Sequence, residues 1–292
     1  LEEIRLRSVQ FVARASRARE LLRVPHVHHR SRRRVELHED AAKHLAPHVE
    51  NERGVFPSRD TQLADHVRVA LQVGADQTYK TVKAAFDAAQ SGDTVVLGAG
   101  TYSGTGNKNL TMPAKNLLIV APEGPDKVAI DCVGTGRFLQ VSDTGKLGQL
   151  VVSGITVKNC GAGAFRVVST SAPAELTLHN VKLLDNTNGD HGAGVHVAGA
   201  QASVHLIASL VKGNQLNGFG GAGLYVDKGS LTVLGSTISD NKAIYNGTAN
   251  AGRGAGILSL GGKVAVRDTL LTANVDQGYS GHACAATGGT FE

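Results

Sequence analysis

Gly229-Ser-Leu-Thr-Val-Leu-Gly-Ser-Thr-Ile-Ser-Asp-Asn241 decides the fold, because four further segments of the chain can be laid over it. They run from Leu147 to Cys160, Ala174 to Asn186, Ala202 to Asn214 and Gly262 to Asn274. The equivalent apolar positions Val157, Leu183, Val211, Ile238 and Leu271 are separated by 26, 28, 27 and 33 residues. Periods of this size belong to solenoids and propellers. Each segment holds two short runs with period-two alternation, such as Leu231 to Val233 and Thr237 to Ile238, divided by a polar or Gly bend, which reads as strand, corner, strand.

A third strand precedes each pair, in Gly192 to Val197, Gly221 to Val226 and Gly254 to Ser259, each opening with Gly-Ala-Gly. Three short strands per turn predict an all-β chain, a right-handed parallel β-helix solenoid. Leucine-rich spacing is missing, and a propeller needs longer antiparallel strands in each blade. Three residues after the shared apolar site stand Cys160, Asn186, Asn214, Asn241 and Asn274. Stacked side-chain amides can hydrogen-bond from turn to turn, and Asn tolerates the left-handed backbone of a sharp corner, so the Asn residues read as a structural ladder. The Gly-Ala-Gly triplets read as corners, not phosphate loops, because a strand follows where a phosphate loop needs a helix.

Toward the N-terminus, Val82, Ala85, Phe86 and Ala89 fall on one face of a helix predicted within 78–90, placed to cap the open end of the first turn. A strand, a Gly turn and a second strand follow, from Ser91 to Tyr102. This helix, with Gly92-Asp-Thr-Val-Val-Leu97 and Gly100-Thr-Tyr102, resembles the opening of pectate-lyase-like right-handed β-helix proteins. The Gly-Ala-Gly strands and Asn corners are similar to the repeats of polymorphic outer-membrane proteins. The resemblance covers about residues 76–290. It implies the fold, and it leaves activity open, because such folds host lyases, hydrolases, esterases and adhesins.

Composition divides the chain in two. Residues 1–70 hold 13 Arg and 1 Lys against 10 acidic residues, and seven of the twelve His. They hold only one of the 36 Gly. Their apolar positions are interrupted by Arg, so 1–70 is expected to be a basic, disordered or irregular leader and 71–292 the β-helix domain, which could be truncated at the C-terminus. Arg30, Arg32, Arg33 and Arg34 could meet nucleic acid, but aromatic stacking partners are absent and nucleic acid is not the expected partner. His26, His28 and His29 lack further ligands at metal spacing, so no metal site is expected. Three Cys are too few for a disulfide framework. No apolar stretch approaches the length of a membrane span, and no signal peptide stands out.

The variable segments between each Asn and the next Gly-Ala-Gly, residues 187–191, 215–220 and 242–253, fall on one edge of the stack, the usual binding side of a solenoid. They carry Asp190, His191, Gln215, Asn217, Phe219, Tyr245, Asn246 and Arg253, polar groups with two aromatic faces that suit a glycan. A lyase of the family would need clustered acidic calcium ligands and a Lys or Arg base. Asp185, Asp190 and Asp240 lie on successive turns, but no paired carboxylates adjoin them; Asp190, His191 and Arg253 are the catalytic candidates. His196 and His205 alternate with apolar residues and are expected to face outward as ordinary strand residues. The reading is a non-catalytic extracellular or cell-surface protein, adhesive or binding a polysaccharide, surface glycan or protein partner, without cofactor. The alternative is a polysaccharide lyase or glycoside hydrolase, for which calcium would be the cofactor.

Overall fold

The computed structural model describes residues 68–112, 115–142, 148–218, 220–244, 254–277, 284–287 and 290–291. The expectations for the leader lie outside the described residues, except that strand Ala70–Val73 already pairs in parallel with Thr94–Leu97. The boundary after residue 70 therefore cuts into the first strand.

The chain winds into an all-β parallel solenoid of about seven turns. One turn runs through Ala202–Ile207, Leu210–Lys212, Gln215–Leu216 and Leu224–Asp227. Each strand pairs in register with its equivalents one turn away, giving sheets of nine, seven, four and seven strands in that order around the coil. The last four turns carry four strands where three were expected, while the first three turns, such as Thr94–Leu97, Gly100–Ser103 and Leu110–Thr111, carry three. The additional two-residue strand begins directly after the Asn corner, where the sequence shows only a variable segment. Alternation explains the interior: Leu150, Leu176, Val204 and Leu231 stack on one sheet, Val157, Leu183, Val211 and Ile238 on the next, and Phe165, Val195, Leu224 and Ile257 on the third. All are essentially inaccessible to solvent, each contributing about 1.5–3 kcal/mol relative to exposure.

Among the described residues the one helix spans Val82–Ala88, capped by Thr81, whose Oγ1 accepts from the Ala84 amide at 3.2 Å. Val82, Ala85, Phe86 and the following Ala89 are buried and join the same core. It ends earlier than predicted because Ala89 turns to extended backbone. Asp93 of the Gly-Asp-Thr segment is buried, and its carboxylate accepts from Val69 at 2.8 Å and Gln90 at 2.7 Å, tying the first strand to the segment after the helix.

Two columns of polar side chains line the corners. Asn186, Asn214 and Asn241 are fully buried. The Oδ1 of Asn214 accepts from the backbone amide of Asn186 at 3.1 Å and from its Nδ2 at 2.9 Å, while the Asn214 Nδ2 donates to Asn241 Oδ1 at 2.9 Å and to the Leu183 carbonyl at 3.0 Å. Asn241 repeats the pattern toward Asn274, at 3.2 and 2.8 Å. These Asn residues do not take the left-handed backbone expected of them. The residue before each does: Asp185, Gly213, Asp240 and Ala273 have φ of 53°, 68°, 56° and 52°. The division is physical, since the left-handed residue makes the bend and leaves the next side chain pointing inward to bond along the stack. At the other corner Ser209 Oγ accepts from the Val181 amide and Ser236 Oγ from the Ser209 amide, both at 3.1 Å, again one residue after left-handed backbone at Asn180, Ala208 and Gly235.

Too few cysteines for a framework still leaves room for one bond. Cys132 and Cys160 stand 28 residues apart, one turn of the coil, which brings their Cα atoms to 4.7 Å, and they form a disulfide. Cys160 occupies the ladder position preceding Asn186, whose Oδ1 accepts from its amide at 3.0 Å. Among the described residues no helix is long and apolar enough to cross a membrane.

Candidate functional site

Strand alternation should send His196, Tyr225 and Leu258 outward, since their neighbours Val195, Val197, Leu224, Val226 and Ile257 face the core. They stand in one register column, continued toward the N-terminus by Arg166. Yet His196 is only 8% exposed, Tyr225 3% and Leu258 1%. The expectation that His196 is an ordinary outward-facing strand residue is corrected here: the chain arriving from the edge folds back over this face. Gly192, Gly221 and Gly254 make the fold-back with φ of 55°, 71° and 58°. A Cβ on Gly221 would lie 2.7 Å from the Tyr225 Cβ, and one on Gly254 3.0 Å from the Leu258 Cβ. Glycine is required by both the backbone region and the contact.

The fold-back carries two of the sequence candidates onto the column. Asn188 shapes the loop by accepting from the Asp190 amide at 3.2 Å and donating to the His191 carbonyl at 2.6 Å. Asp190 Oδ1 then lies 2.7 Å from His191 Nδ1. The His191 ring packs 4.6 Å from Tyr225 and 5.3 Å from His196, and His196 meets Tyr225 at 5.1 Å. Burial first, then the nearby His191, Arg166 and Arg137, push the His196 imidazole down to about 3, against a small opposing effect of Asp190. It is therefore neutral at physiological pH. Burial, with Asp227 and Asp190, pushes the Tyr225 phenol up to about 12.

Gln215 and Asn217 are exposed and stay on the edge, beside this cluster in sequence but not shown in contact with it. Gln215 belongs to the short fourth-sheet strand, and its neighbour Leu216 is fully buried in a small second core with Ala222, Ala243 and Ala255. Successive edge segments are bonded through their backbones, Asn217 to Asn188 and Ile244 to Leu216 at 2.9 and 2.8 Å. Phe219, Tyr245, Asn246 and Arg253 lie outside the described residues. Asp185 and Asp240 occupy corner positions, and among the described residues no three His, Cys, Asp or Glu side chains gather as a metal site.

Sequence reading missed Arg137, Arg166 and Tyr225. The signal was present for Tyr225: it stands four residues after the first Gly of its triplet, as His196 does.

On another face, His205 Nε2 lies 3.5 Å from Ser203 Oγ and 3.8 Å from Glu175 Oε1. A nucleophilic triad needs the two contacts on opposite ring nitrogens, whereas the His205 Nδ1 is buried without a partner. Backbone amides that could stabilise an oxyanion are occupied by the parallel ladder, so these groups do not form a hydrolytic site.

No protein-family model matches the chain, and no curated protein matches it. Among solved structures, that of Escherichia coli ybhC is similar at 13% identity over 83% of this chain and 75% of that chain, with a TM-score of 0.34. A likeness of that degree carries no argument about activity.

Proposed function

We propose that the solenoid is an extracellular or cell-surface binding protein that holds an extended glycan along its loop edge without cleaving it. The observation that carries this reading is the edge itself. Asp190, Gln215 and Asn217 are exposed on loops whose backbones are hydrogen-bonded to one another in register. A rigid comb of donors and acceptors repeated at about 4.8 Å suits a polymer with recurring hydroxyls, and loops that are already ordered lose little entropy on binding. Phe219, Tyr245 and Arg253 belong to the same edge segments in sequence and would add rings for sugar faces and a charge. The disulfide supports an oxidising compartment. The resemblance of Gly92 to Leu97 and of the preceding helix to pectate-lyase-like right-handed β-helix proteins supports carbohydrate as the ligand class.

The test is a glycan array probed with the full chain, followed by calorimetry on any hit. Phe219→Ala with Tyr245→Ala should weaken binding by about 1 kcal/mol or more without moving the unfolding midpoint. Unchanged affinity rejects this edge. Calcium-dependent release of unsaturated sugar rejects the non-catalytic reading in favour of a lyase.

A further inference from the structure

The cover over His196 and Tyr225 is slight compared with what lies beneath it. Residues 188–191 leave the short strand Thr187–Asn188 and return over the outer face, where the His191 ring rests 5.3 Å from His196 and 4.6 Å from Tyr225 between centroids. The two ends of this segment are anchored. The Thr187 amide donates to the Cys160 carbonyl at 2.7 Å and the Asn188 carbonyl accepts from Asn217 at 2.9 Å, while Ala193 and Gly194 donate to the Ala222 carbonyl at 3.0 and 3.1 Å. Between the anchors the segment has an isolated bridge from His191 to Gly220 and the two bonds of the Asn188 side chain, which stay within the segment itself. Gly192, with φ of 55°, stands where the segment rejoins the coil. The strands underneath, Phe165–Val168, Val195–Ala198 and Leu224–Asp227, are paired over four residues each. A sparsely bonded segment opens at a lower free energy than the ladder it covers.

The imidazole under this cover is surrounded by groups that oppose its charging. His196 has Arg166 on the adjacent strand, the Tyr225 ring on the other side, and His191 and Asp190 on the covering segment, with Arg137 also acting on it. Arg166 keeps its charge at every physiological pH. Asp190, the carboxylate acting on His196, has its Oδ1 2.7 Å from His191 Nδ1, and Asp227 acts on the Tyr225 phenol, which stays neutral. Burial first, then the neighbouring His191, Arg166 and Arg137, hold His196 down at about 3 while it is covered, whereas in water it ionises near 6.5. Lifting the cover returns water to the ring and hydrates the imidazolium. The covered form binds fewer protons than the open one, so acid favours opening, by about tenfold per pH unit below 6.5 until the pH nears 3.

We propose that residues 188–191 form an acid-released lid, closed on His196 and Tyr225 at neutral pH and lifted about Gly192 when His196 takes up a proton. The device does not rest on the glycan reading. Asp190 rides on the lid, so the same event withdraws one side chain from the edge in acid, whatever the edge holds.

The experiment is nuclear magnetic resonance on the full chain, comparing ring-to-ring Overhauser contacts at pH 7.5 and pH 4. The His191–Tyr225 contact reports the lid, and the His196–Tyr225 contact, between two paired strands, reports the coil beneath it. The first should fall at least fivefold at pH 4 while the second persists. In His196→Phe, which keeps a ring at this position and takes up no proton, the His191–Tyr225 contact should persist at both pH values. An unchanged His191–Tyr225 contact at pH 4 in the wild type overturns the proposal. So does its loss in His196→Phe, or loss of the His196–Tyr225 contact together with it, which shows the whole turn opening instead of a lid. Should His196→Phe fail to fold, His196→Gln is equally uncharged at every pH and carries the same criterion.

Discussion

Two columns of polar side chains run along the same turns, and they differ in one respect. In the corner column, each amide of Asn186, Asn214 and Asn241 is paired with the turn before and the turn after. In the outer-face column, Arg166 is half-buried, and His196 and Tyr225 are covered, their rings meeting at 5.1 Å without an amide ladder. The first is held by hydrogen bonds from turn to turn, the second by ring packing under the chain that folds back over it. A ladder of amides is therefore sensitive to the loss of one hydrogen-bonding partner, whereas packed rings are sensitive to the loss of shape.

The sharpest way to break this comparison is to substitute within each column. Asn214→Leu should destabilise the protein by about 3 kcal/mol, because the Asn186 amide groups and the Leu183 carbonyl lose partners that water cannot reach. The control is Asn217→Leu on the exposed edge, expected within about 0.5 kcal/mol of wild type. Chemical denaturation measures both, and equal midpoints would remove the ladder from the account of stability.

The second effect is smaller and depends on pH. His196 is held neutral, with its pKa near 3 instead of about 6.5. The stability it contributes is complete above pH 6.5 and is lost as the pH falls toward 3, reaching about 2 kcal/mol of loss by pH 5. Burial lowers His179 and His205 in the same direction, the latter opposed by Glu175, so the quantity to measure is the difference between wild type and His196→Phe. The variant should show a flatter fall between pH 7.5 and pH 5. Parallel curves would place His196 in an environment where it charges freely.

The smallest effect belongs to the second corner. Ser209→Ala removes the acceptor for the Val181 amide and should cost about 1 kcal/mol. A larger loss than that of Asn214→Leu would reverse the order of the two corners.

The solenoid was legible because its information is repeated. Val157, Leu183, Val211 and Ile238 recur at one-turn spacing, and each repetition confirms the others. The fourth strand was not, because Gln215–Leu216 and its equivalents are two residues long, too short for any period to register. The assignment of left-handed backbone to Asn214 failed by one position: composition shows that a corner is sharp, but not which of two adjacent residues bends and which bonds. The site was the least legible part. Arg137 and Arg166 each appear once, outside the edge segments, and only the winding of the chain sets them beside His196. Tyr225 looked like any outward-facing residue, since alternation says which face a side chain takes and nothing about what later covers that face.

The disulfide between Cys132 and Cys160 also decides how this molecule behaves under load. A stack of turns pulled from its two ends gives way by peeling, each turn contributing its own length of extended chain as it leaves its neighbour. The crosslink closes the 28-residue stretch between the two cysteines into a ring, and that stretch cannot pay out while the bond is intact. At about 3.4 Å per extended residue, the oxidised chain should stop roughly 95 Å short of the reduced one. One covalent tie therefore acts as a length limiter, leaving part of the coil untouched by tension that has emptied the rest.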